Sequence, residues 1–153
     1  FEDIRKIEKV SDLYKLQNEY TNLLCIANLL GGNADNRLLE IMYPILIKKR
    51  FTDPKLLNEI RKYLEDFVIA FLESKSFFTD EVKSLNDRSR YIERKEDIPE
   101  YIKRSFHSLV RIVQEGSHGR TIIDNDVRYG NAPYLLQSCL FELLNIIYWT
   151  KNV

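Results

Sequence analysis

The sequence predicts an all-α fold: a bundle of four or five long helices, with a long connection before the last. Three observations predict it. Apolar residues recur at three- and four-residue spacing over most of the chain. Five glycines and four prolines among 153 residues suit long helices better than a loop-rich chain. No run alternates apolar and polar residues as a strand would, except TIIDNDVRY (121–129), which fits a small hairpin.

Each element has its own punctuation. A first helix can start at Glu2 and restart at Ser11, a good N-cap. From Asp12 its apolar positions are Leu13, Leu16, Tyr20, Leu23, Leu24, Ala27 and Leu30, and Gly31-Gly32 is expected to close it in a left-handed turn. The second segment, Asn36 to Phe51, contains Pro44, which removes a backbone donor and predicts a kink or break. The third opens on Thr52-Asp53-Pro54 and buries Leu57, Ile60, Leu64, Phe67 and Phe71 along one face. A short helix is expected from Asp80 to Leu85, then a charged connection over 86–97. The fourth starts near Pro99, capped by Asp97, with Ile102, Phe106, Leu109, Val110 and Val113 on its apolar face, and ends at Glu115 or Gly116. The last is expected to be capped by Asn131 and runs through YLLQSCLFELLNIIYW. Only Ser138, Glu142 and Asn145 form a polar stripe on it, with Glu142 expected to face solvent or an ion-pair partner. A helix this apolar belongs at the centre of a bundle or against another chain.

Composition bounds the function. Twenty-three basic and twenty-three acidic residues give zero formal net charge, which excludes a general nucleic-acid coat protein. Cys25 and Cys139 both fall in apolar helical patterns and read as buried free thiols. Two cysteines and two histidines without ligand spacing argue against a structural zinc site. No apolar run reaches the roughly 20 residues a membrane span needs. The expectation is one domain over 1–153 in a cytoplasmic, reducing setting, with no metal, no cofactor and no membrane partner. The start on Phe1 leaves open a longer chain or a missing partner domain.

One stretch, RIVQEGSHGR (111–120), raises a chemical question. On a helical wheel Arg111 lies roughly opposite the apolar centre near Leu109 and Val113, and Arg104 and His107 share its outward half. From Lys103 to Arg120 there are four basic residues and one acid, a local excess of three charges in a neutral chain. Gly116 permits a turn that would fold His118 back toward Arg111. An arginine fork matches phosphate oxygens, and a histidine can move the proton of a 2′-hydroxyl or a leaving oxygen. The helix C-terminus favours a protonated imidazole but disfavours phosphate, so the arginines must outweigh it. Arg120 and Arg128 sit in the connection after this helix and, with Arg104, are candidate substrate contacts. One histidine cannot easily serve both the attacking and the leaving oxygen. A homodimer with its interface near the fourth and last helices would supply two. Arg111 also reads as an ordinary solvated arginine, and His118 as a favourable C-terminal cation.

An arginine, six residues IVQEGS, and then His118, placed between the end of a long helix and the last helix, resembles the HEPN superfamily. The EGSHG ending is similar to its abortive-infection C-terminal members. The resemblance covers mainly residues 99–150. It implies a metal-independent endoribonuclease of a defence or toxin-like system, working as a homodimer on RNA. Arg111 would bind the scissile phosphate and His118 would transfer the proton. Position 112, often polar in that family, is isoleucine here. The alternative expectation is a non-catalytic helical interaction or regulatory domain of a larger assembly. Zero net charge and the apolar last helix motivate it.

Overall fold

Capping and chain-breaking residues set most of the boundaries. A computed structural model describes residues 2–29, 31–74, 92, 95–117 and 121–152. Those residues are helical and turn backbone without a strand. The all-α expectation therefore stands, with seven α-helices among the described residues.

The expected first helix is two. α1 spans Glu2–Glu19 and α2 spans Thr21–Leu29. The Thr21 hydroxyl donates to the carbonyls of Gln17 and Asn18, at 2.8 and 3.0 Å. Such back-bonding competes with the backbone ladder and bends a helix. The turn after α2 also differs from expectation, because the left-handed residue is Asn33 (φ 62°) and not a glycine. Asparagine tolerates that region better than any other residue with a branched polar side chain.

α3 spans Ala34–Met42 and passes into a π turn, Tyr43–Ile47. Pro44 explains the change of pitch. It has no N–H to return to the preceding turn, and the next ring widens, with Lys48 N–H donating to Tyr43 O at 3.2 Å. The segment stops at Ile47, short of Phe51, and Lys49 turns left-handed (φ 54°). α4 spans Lys55–Ser74, with the Asp53 carboxylate accepting the Lys55 amide at 3.1 Å. Leu57, Ile60, Leu64, Phe67 and Phe71 are all buried, as their spacing predicts. The helix expected over Asp80 to Leu85 lies outside the described residues, as does most of the connection 86–97.

α5 spans Glu100–Ser117 and buries Ile102, Phe106, Leu109, Val110 and Val113. The hairpin expected in TIIDNDVRY is instead a helix, α6, over Ile122–Arg128. Thr121 caps it by accepting the Asp124 amide at 3.1 Å. Ile123 and Val127 are one turn apart and pack inward, a helical and not an alternating pattern. α7 spans Leu135–Trp149, followed by a 3₁₀ turn, Thr150–Asn152. It begins beyond the expected cap. Asn131 spends its backbone N–H on Asp126 O at 2.8 Å, and Tyr134 occupies the N-cap position.

One contiguous apolar core joins these helices. α4, α5 and α7 pack on one another, α7 also touches α2 and the π turn, and α1 lies over α2, α3 and the π turn. The last helix is thus central, with Phe141 and Tyr148 left partly exposed on its outer side. Glu142 is half-buried, not solvent-facing, and its Oε2 is shielded with no hydrogen-bond partner. Cys139 is buried but Cys25 is exposed, against expectation. Leu23, Leu24 and Ala27 take the inner side of α2, and the side left for Cys25 faces out.

Candidate functional site

The outward face of α5 holds the densest set of chemistry-bearing residues named above. Its inner side is fixed by the five buried apolar residues, so positions 104, 107, 108 and 111 must face away from the core. These residues, with Lys103, line a shallow groove of about 440 Å³ bounded by Glu100, Ile112 and Glu115. Arg104, His107 or Ser108, and Arg111 follow one another at three- or four-residue spacing, as neighbours on a helix surface do.

The cations of this groove are not equivalent. Arg104 lies 3.8 Å from Glu100, with both side chains well exposed, a pair that contributes little and opens readily. Lys103 and His107 each hold an interaction of their own. Arg111 is exposed and forms no ion pair among the described residues. It presents its donor fork to solvent from the last two turns of α5.

Arg104 and Arg111 are therefore brought to one face, as the wheel predicts. Arg128 does not line that groove. It is one turn from Asp124, whose side chain is 7% exposed, and bonds to it at 3.2 Å. That contact ties Arg128 to the α6 surface and satisfies a nearly buried carboxylate. His118 and Arg120 lie outside the described residues. Lys103 and His107, which the sequence places in the basic excess and on the outward half of the wheel, line the groove as well, and so does Ser108, which the sequence did not single out.

Among the described residues, no cluster of three His, Cys, Asp or Glu could hold a metal ion. Their helices include none long and apolar enough to cross a membrane. No family model matches the chain, and neither a curated protein nor a solved structure matches it.

Proposed function

We propose that this chain is a metal-independent endoribonuclease of HEPN type, in a defence or toxin-like system, with Arg111 and His118 at its reacting centre. The observation that supports the reading is the α5 face. An exposed arginine without an ion pair among the described residues stands there beside Arg104, Lys103 and His107, and the sequence reaches His118 directly after the helix ends at Ser117.

Arg111 would grip two non-bridging phosphate oxygens and offset the charge that builds on them as the reaction proceeds. The 2′-hydroxyl gives up its proton to a base, its oxygen bonds to phosphorus, and the 5′-oxygen leaves and takes a proton. The products are a 2′,3′-cyclic phosphate and a free 5′-hydroxyl. His118 suits one of the two proton transfers, and a His118 from a second copy suits the other.

The test is cleavage of a mixed single-stranded and structured RNA pool in EDTA, with the ends mapped. Wild type is expected to leave 2′,3′-cyclic ends. Arg111→Ala and His118→Ala are each expected to abolish cleavage, with helicity and melting temperature unchanged. Cleavage retained in both variants refutes the assignment.

A further inference from the structure

A helix on a domain surface turns one apolar stripe inward and keeps its other side polar. α1 has apolar residues on both sides. Inward, Leu13, Leu16 and Tyr20 pack on the core, and Lys9 pairs with Glu40 at 3.3 Å and lies 5.2 Å from the centre of the Tyr43 ring. Outward, Ile4, Ile7, Val10 and Tyr14 are between 59% and 68% exposed. At the α-helical pitch these four span a stripe about 120° wide, on which Asn18, Thr21 and Asn22 also fall.

The stripe continues through the bend, because Tyr20 N–H still bonds to Leu16 O and Leu24 N–H to Tyr20 O. It ends in a groove of about 550 Å³. Asn18, Thr21 and Asn22 line that groove from α1 and α2, and Phe141, Asn145 and Tyr148 line it from α7. Phe141 and Tyr148 are 42% and 40% exposed there. An apolar stripe thus leads into a groove on the same molecule whose α7 wall carries the two aromatic rings and whose α1 and α2 wall is polar. Two such surfaces can satisfy each other across a two-fold axis.

We propose that a second copy of this chain covers this face, with the two α1 helices antiparallel. Charge selects the direction. Read as a coiled-coil seam, Ile4, Ile7, Ser11, Tyr14 and Asn18 face the partner, with Asp3, Glu8 and Lys15 on the flanks. Parallel alignment would set Asp3 of each copy against Glu8 of the other. Antiparallel alignment about an axis between Asp12 and Leu13 sets Glu8 beside Lys15 of the second copy, twice by symmetry. The same register lays Ile4 and Ile7 of the second copy over Thr21 and Asn18, at the groove below Phe141 and Tyr148. Six exposed apolar side chains per chain would be covered in such a pair: Ile4, Ile7, Val10, Tyr14, Phe141 and Tyr148.

The experiment is sedimentation equilibrium of the full chain from about 1 to about 100 µM, with circular dichroism confirming each variant's fold. Wild type is expected to be dimeric at the upper end. Ile7→Glu, at an exposed site, is expected to be monomeric throughout with unchanged helicity. Glu8→Lys or Lys15→Glu alone should weaken association about tenfold, and the double charge swap should restore it. A wild-type monomer at the highest concentration overturns the proposal, whatever else that face binds. So does a dimer indifferent to Ile7→Glu, and so does a double swap no tighter than the single changes. The inference does not rest on the ribonuclease reading: a monomer that cleaves RNA would sink the dimer and leave Arg111 and His118 in place.

Discussion

Replacing Arg111 by alanine should change how RNA affinity responds to salt, and the size of the change follows from the α5 groove. Three permanent cations line it, Lys103, Arg104 and Arg111, with Glu100 and Glu115 at its edges. Each phosphate neutralised on a single strand releases condensed counterions and contributes about −0.7 to the slope of log affinity against log salt. Three contacts give a slope of about −2, so affinity should fall about 20-fold between 50 and 200 mM salt. Without Arg111 the slope should be about −1.4, and the same interval should cost only about sevenfold. At fixed salt the lost charge-assisted contact should weaken binding by about tenfold or more. The assay is fluorescence anisotropy with a labelled single-stranded oligonucleotide whose 2′-oxygens are methylated, so that it binds without being cut. A wild-type slope near zero, or one that Arg111→Ala leaves unchanged, would refute the assignment of this face to phosphate.

Two further predictions concern the last helix. Glu142 is half-buried with Oε2 shielded and no hydrogen-bond partner, so Glu142→Met strands no donor and should leave the melting temperature unchanged or raise it by up to about 2–4 °C. A lower melting temperature would mean that the carboxylate has a partner that matters. Burial, and secondarily Glu142, pushes the Cys139 thiol up to about 12, whereas an unfolded thiol ionises near 9.0. The neutral thiol is therefore favoured in the fold: its contribution is whole below pH 9 and drains away toward pH 12, at about 1.4 kcal/mol per pH unit. In native protein at pH 8 a thiol reagent should modify Cys25 and spare Cys139, and in denaturant it should modify both. Two thiols reacting at equal rates in the folded chain would contradict the burial.

Much of the fold was legible because periodicity reports burial directly. The five apolar positions of α4 and the five of α5 are all buried, and Arg111 lies on the exposed side opposite them. What was not legible depended on hydrogen bonds or tertiary competition. Nothing in the apolar pattern distinguishes one helix bent at Thr21 from one straight helix, because the cause is a hydroxyl taking two carbonyls. Pro44 announced an interruption but not that the chain would absorb it by widening to a π turn. In TIIDNDVRY the β-branched residues suggested a strand, while the Thr121 cap and the Ile123–Val127 spacing decided for helix. Of the candidate site, the wheel gave Arg104 and Arg111 on one face. It could not show that Arg128 would be tied to a nearly buried Asp124.

The two exposed faces that depart from an ordinary monomer surface sit on helices that pack on different neighbours. α1 rests on α2, α3 and the π turn, and α5 rests on α4, α6 and α7. A substitution at an exposed position on one outward face touches no residue of the other, so their effects should be additive. Phosphate affinity should follow Arg111 and ignore Ile7, while association through α1 should follow Ile7 and ignore Arg111. The combination discriminates between the two readings of the chain. If the Ile7→Glu monomer binds RNA normally but no longer cuts it, cutting requires two chains, as a reacting centre with one His118 from each copy implies. If neither form cuts and only association depends on Ile7, the α5 face is a charged surface and the chain is an assembly module.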